Sequence, residues 1–240
     1  MTKITKTIRL NRFISNSGLC TRREADVLIK KGEIKVNGKV EKTLGIQVRV
    51  GVDKVEHLNK PLAGEAMRFV LINKPSSYVV EGKGGKSIFA LMSDACEERV
   101  YPINPLDVLD VGLQLFTNDD GLRTRIKNNG TKESSLYHIE FSEKISEEKL
   151  GLLRKGVKVG RALFEFNEVV LTDGGEGKAI GLVPKVDNSK KIKDALRSAG
   201  LQVEKFDRVM YAGLSKKNLP RGRWRVLSEK EVAFLRMGAQ

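Results

Sequence analysis

Cysteine is scarce in this chain: Cys20 and Cys96 are the only two, and they stand far apart. They form neither a disulfide framework nor a zinc pattern, so no metal site is assigned and a reducing cytoplasmic compartment is expected. Histidine is as sparse; His57 and His138 are scattered and read as structural. No apolar run approaches the roughly 18 residues of a membrane span. Met1 to Leu10 alternates polar and charged residues without the apolar region of a signal peptide. There is no internal repeat and no low-complexity tract. Gly174-Gly175-Glu176-Gly177 lacks the Gly-Lys-Ser/Thr ending of a phosphate loop and opens no helix, so it reads as a flexible turn. Trp224 is the only tryptophan and is assigned to the core.

What the chain does have is positive charge. Its 240 residues carry a formal net charge of +14, with 40% hydrophobic and 31% charged residues. That composition supports a sizeable core and excludes wholesale disorder. The charge calls for an anionic partner, nucleic acid before membrane. No basic amphipathic helix with exposed aromatics argues for a membrane. Residues 1–60 hold 14 Lys or Arg against 6 Asp or Glu, so +8 of the excess falls in a quarter of the chain. An N-terminal electrostatic docking module is implied.

The local pattern of that module is readable. Leu10, Phe13, Ile14 and Ser17 recur at helical spacing, and Gly18 is placed to end the helix. Thr21 with Glu24 three residues on forms a capping box for a second helix that buries Ala25, Leu28 and Ile29 and stops at Gly32. Asn37-Gly38 between Ile34-Lys35-Val36 and Lys39-Val40 signals a hairpin. Arg9, Arg12, Arg22, Arg23, Lys30 and Lys31 are expected to project from the helices. The stretch IRLNRFISNSGLCTRREADVLIKKGEIKVNGKV resembles the small alpha-L (S-four type) RNA-binding domain of ribosomal proteins and RNA-modifying enzymes. The resemblance implies that those cations, with Asn37 and Lys39 of the hairpin, grip structured RNA through phosphates and shape.

Asn59 to Glu65, with Pro61 and Gly64, reads as a linker, which sets the expected boundaries: an RNA-binding domain at 1–58, a linker at 59–67 and a second domain at 68–240. Beyond it, Phe69 to Ile72, Tyr137 to Phe141 and Phe164 to Leu171 read as strands, Glu147 to Lys155 and Lys190 to Ala199 as helices. That is an α+β pattern. Asn73-Lys74-Pro75, Leu106-Asp107, Leu115 to Gly121, Arg208 and Leu219 to Ser228 resemble, in order, the bacterial ribosomal-RNA pseudouridine synthases. The resemblance implies a mixed, mostly antiparallel sheet around an RNA cleft, and isomerisation of uridine without a cofactor. It makes Asp107 the carboxylate acting at the ribose C1′. Tyr137 becomes the residue that stacks on the uracil and takes part in the C5 proton step, with Leu109, Leu113 and Leu115 backing the cleft.

Four departures stand beside it. The family's Gly-Arg-Leu-Asp reads Asn104-Pro105-Leu106-Asp107, and its Thr or Ser three residues later is Asp110, a like charge expected to raise an aspartate's pKa. Ser135 replaces a basic residue, and Asp194 falls where a cation is usual. The alternative to an rRNA pseudouridine synthase is therefore a weakened or inactive relative that binds RNA in ribosome assembly. Partners expected on either reading are structured ribosomal RNA and pre-ribosomal particles, with the protein a monomer.

Overall fold

The computed structural model describes residues 7–17, 19–63, 67–82, 85–129, 135–172 and 176–239. The expected stop at Gly18, the turn at Gly174-Gly175, and Gly64-Glu65 lie outside the described residues. The chain divides into two compact units, Met1–Ala66 and Met67–Gln240.

The first unit contains β1 (Thr7–Arg9), α1 (Leu10–Asn16), α2 (Arg22–Lys31), β2 (Ile34–Val36), β3 (Lys39–Val40), β4 (Gln47–Arg49), β5 (Val55–His57) and β6 (Lys60–Pro61). Its helix starts as the sequence dictates: the Thr21 side chain accepts from the Glu24 N–H, and the Glu24 carboxylate accepts from the Thr21 N–H at 2.8 Å. Gly32 then closes α2 at φ 78°. Asn37 and Gly38 both take positive φ, 51° and 82°, which a two-residue hairpin turn with the native strand twist requires. Ile8, Leu10, Phe13, Ile14, Ala25, Ile29, Ile34, Val48 and Val55 form the core; Leu28 is only partly buried against it. Arg9 ends β1 rather than lying on a helix. The segment read as a linker begins inside the fold. Lys60–Pro61 pairs with β5, and the Leu62 N–H donates to the Val55 carbonyl at 2.8 Å. An edge strand needing backbone partners overrode the polar composition with its single Pro.

The second unit is built on one large sheet. In chain order its elements are β7 (Phe69–Lys74), β8 (Tyr78–Val79), β9 (Lys86–Ser87), a 3₁₀ turn (Ile88–Leu91), β10 (Tyr101–Ile103), β11 (Val111–Thr117), α3 (Asp120–Asn129), β12 (Leu136–Phe141), α4 (Glu147–Lys155), β13 (Val157–Val159), β14 (Ala162–Phe164), β15 (Phe166–Leu171), β16 (Ala179–Pro184), α5 (Ser189–Ser198), β17 (Val203–Tyr211), β18 (Leu214–Ser215), β19 (Trp224–Val226) and α6 (Glu229–Gly238). The strands run β15-β16-β12-β17-β11-β7-β19, antiparallel except for the β11–β17 pair. The expected Phe164–Leu171 strand is two: β14 hairpins back onto β13, while β15 joins the main sheet.

The parallel step sets the geometry of the site. Gly112 sits there at φ 106°, and a Cβ would fall 2.3 Å from the Arg208 carbonyl oxygen. Only glycine lets these two backbones approach so closely. β7 and β11 are buried almost throughout, so their side chains fill both faces of the sheet. Leu113 and Leu115 pack in a core with Leu122, Ile126 and Leu235, and Trp224 packs against Val70, Ile72 and Phe116.

Candidate active site

The loop between β10 and β11 carries Asp107. Its backbone is held from beneath. Asn104 takes φ 43°, a conformation asparagine tolerates better than any other non-glycine residue, so it stands where the family pattern has glycine. The Asp107 N–H donates to the Asp110 carboxylate at 3.0 Å, closing a turn that a Ser or Thr hydroxyl at 110 would also close. Lys74, fully buried at the end of β7, donates to the carbonyls of Pro75, Val108 (3.0 Å) and Asp110. Burial brings its pKa down to about 8, with Asp110 and Asp107 partly offsetting that pull. Lys74 therefore clamps the loop by its backbone.

Above the loop stands α5. The Lys193 ammonium reaches Asp107 and also lies 2.9 and 3.0 Å from the two Asp110 oxygens. Burial works against the ammonium, but the hydrogen bonds to Asp107 and Asp110 outweigh it and hold its pKa above the ordinary value. The two carboxylates differ sharply. Asp110 is buried at 5% side-chain exposure, whereas Asp107 is 60% exposed. Asp110 is thus more than a neighbouring like charge: it anchors the cation that faces Asp107. Asp194, which replaces an expected cation, pairs with Arg197 at 3.0 Å. Sequence reasoning gave Lys193 no role. Its position in the Lys190–Asp194 run was the available signal.

Arg208 is the buried centre of the site, with no exposed surface. Its guanidinium donates to the carbonyls of Leu113 (2.7 Å) and Asn104 (2.9 Å) and to Gln114 Oε1 (3.1 Å). Gln114 in turn accepts from the Leu106 N–H at 3.0 Å. Tyr137 and Ser135 donate to the Asp187 carboxylate, which lies 3.9 Å from Arg208. Ser135 and Asp187 thus form one polar contact where the family pattern has a basic residue.

Tyr137, expected to stack on the uracil, has no exposed surface here. Its ring packs on Phe206 at 4.8 Å between centroids, and burial with the charge of Asp187 pushes its pKa well up. The alternation of β12 explains this: Tyr137, Ile139 and Phe141 share the inward face. A phenol so placed donates to Asp187 and holds Arg208; it is a poor base.

A cleft of about 1000 Å³ opens over Asp107. Pro105, Leu109, Lys193, Phe206, Val79 and Glu81 are among the residues on its walls. Of the three leucines expected to back it, only Leu109 does. Leu113 and Leu115 point into the core because β11 is central and buried on both faces.

The expected RNA-binding residues gather on the first unit. Arg9, Arg22, Arg23, Lys30, Lys31 and Lys39 are exposed, and Arg12 is half-buried. Arg23, Val27 and Lys30 follow one another on one face of α2. Asn37 is exposed but its side chain is engaged: it donates to Asp53 at 3.1 Å and accepts from the Lys54 N–H at 2.9 Å. Its work is to tie the hairpin turn to the β4–β5 loop.

Residues 8–53 match the S4 domain family. A solved structure of a pseudouridylate synthase superposes with a TM-score of 0.64 over 95% of this chain and 99% of that one, at 21% identity, so the two share a fold. The chain is 30% identical over 233 residues to an uncharacterized RNA pseudouridine synthase of Aquifex aeolicus, covering 95% of this chain and 93% of the relative. It is 30% identical to the dual-specificity RNA pseudouridine synthase RluF of Escherichia coli K12, covering 95% and 78%. With ribosomal large subunit pseudouridine synthase B of Bacillus subtilis it shares 28% identity over 95% of each chain. The chain belongs to the RNA pseudouridine synthase family.

Proposed function

We propose that this protein converts specific uridines of ribosomal RNA to pseudouridine, with Asp107 as the carboxylate acting at the ribose C1′. The observation that carries this is an exposed Asp107 on a braced loop in an open cleft, facing a lysine whose charge is fixed by a second, buried carboxylate. In the reaction the C1′–N1 bond breaks, the base turns, C1′–C5 forms, the C5 proton leaves and N1 takes up a proton. Asp107 acts either as nucleophile or as the base of a glycal route. If Asp107 becomes an ester it loses its charge, and Lys193 keeps Asp110 as its partner. Pro105 removes the family's arginine, yet Lys193 and Arg208 leave neither Asp107 nor the loop without a cation. The enzyme acts in the cytoplasm as a monomer, on free rRNA or pre-ribosomal particles. Mapping pseudouridines in rRNA from cells with and without the protein tests this. One or a few sites should vanish and return with the wild-type protein. An unchanged map with intact rRNA binding would make it the binding-only relative.

The S4 unit supplies the phosphate grip. Arg22 and Arg23 occupy the first turn of α2, where a cation gains nothing from the helix dipole. Replacing both by alanine should weaken rRNA binding and reduce the slope of log affinity against log salt by up to about 2, as lost phosphate contacts do. Filter binding over a salt series reads this out. A large drop in thermal midpoint with unchanged affinity would make the pair structural.

Lys74 predicts a pH effect. Its folded pKa of about 8 lies below the ordinary 10.5, so its charge opposes folding in full below pH 8, and that cost fades between about 8 and 10.5. Its benefit is the loop, not stability. The maximal rate should fall as pH rises past about 8 and the ammonium loses a proton. Lys74→Met should be slow at neutral pH and lack that alkaline limb. The same limb in the variant would assign the titration to another group.

A further inference from the structure

A second cavity, of about 440 Å³, opens beside the cleft, and the reaction described above does not use it. Val80 and Glu81 line both, so the two spaces meet along one wall. Met92 and Val100 are buried beneath it. Phe89 stands at its mouth, 42% exposed, with its ring edge-on to Phe116 at 5.4 Å. The Arg99 guanidinium lies 5.4 Å from the centre of the Tyr101 ring on the same lining. Glu98, also on the lining, is neutralised by Arg68 at 2.8 Å.

We propose that this cavity takes a nucleobase of the RNA strand whose uridine enters the cleft. The proposal rests on the reading of the cleft as a uridine site. To reach Asp107 a uridine must leave its stack, and the neighbouring base then loses a stacking partner. An aromatic ring, a thioether and a guanidinium around a mostly apolar slot replace that partner, which is how proteins hold unstacked bases. Glu81, on the shared wall, offers an acceptor to the edge of a base. The shared wall also selects the occupant: whatever fills one cavity lies against the residues that contact the occupant of the other. An adjacent nucleotide of one strand meets that condition without a separate binding event.

The test is photochemical. The full-length protein is bound to transcribed ribosomal RNA, irradiated with ultraviolet light, and digested with nuclease and trypsin. Cleavage after Lys86 and Arg99 releases Ser87 to Arg99, which contains Phe89, Met92 and Cys96. A nucleotide adduct on that peptide is expected. Phe89→Ala should lower rRNA affinity about tenfold, the effect of losing one stacked base, with the salt slope unchanged. Adducts on peptides of residues 8–53 but none on Ser87 to Arg99, with Phe89→Ala binding as wild type, would overturn the subsite and leave the enzyme reading standing. An adduct on that peptide in a protein that makes no pseudouridine would support the subsite and sink the enzyme reading alone.

Discussion

Asp107→Asn is expected to abolish pseudouridine formation, by about 10⁴-fold or more, the order of loss when an essential nucleophile is removed. The amide has the shape of the carboxylate but is far weaker as nucleophile and base. Affinity for rRNA and the thermal midpoint should hardly move. Lys193 keeps its two contacts with buried Asp110, so no buried cation is left uncompensated. The assay is single-turnover conversion on rRNA, with filter binding and calorimetry as controls. Wild-type rates in Asp107→Asn would remove Asp107 from the chemistry. Pro105→Arg sharpens the result. Pro105 is exposed on the cleft wall, so an arginine there enters the space beside Asp107. Because Lys193 already occupies Asp107, the added guanidinium should slow a site rebuilt around lysine. Acceleration would show a site merely weakened by the loss of arginine, and an unchanged rate would mean residue 105 does not face the reaction.

The second large effect concerns stability. Arg208→Met should cost on the order of 3–5 kcal/mol, the range for breaking a buried charge network from one side. For a protein of this size that is a fall of roughly 10 °C in thermal midpoint. The methionine fills part of the volume but removes the guanidinium donors to the carbonyls of Asn104 and Leu113, leaves the Gln114 oxygen with the Leu106 N–H alone, and takes away the cation 3.9 Å from Asp187. Arg208→Lys should recover only part, because one ammonium cannot span partners on both β11 and the β10–β11 loop. Calorimetry decides it. A midpoint within about 2 °C of wild type would show that the fork is dispensable. Activity should fall further than stability alone explains, since Arg208 and Gln114 fix the carbonyl of Asn104 and the N–H of Leu106, immediately before Asp107.

The amino-acid sequence by itself determined the features whose causes lie within a few residues. The Thr21–Glu24 capping box, the stop at Gly32 and the Asn37-Gly38 turn all formed where the pattern placed them, because caps and positive-φ turns are local chemistry. Helix Glu147–Lys155 matched to the residue, and the period of two in Tyr137 to Phe141 marked a strand. Family membership was legible in the order of short motifs.

Only the tertiary structure decided what those residues do. Lys193 meets Asp107 across 86 positions of chain, a contact fixed by how α5 packs over the β10–β11 loop and by nothing near either residue. Alternation placed Tyr137 on one face of β12; only the sheet made that face a closed core rather than the cleft. Leu113 and Leu115 carry no signal of direction, since a strand buried on both faces is apolar on both. Asn104 and Asp110 read as departures until the backbone showed a positive φ that asparagine accepts and a turn that a carboxylate closes. Local chemistry fixes where elements begin and end, while the register of a sheet whose strands lie far apart in sequence decides which side chains share a site.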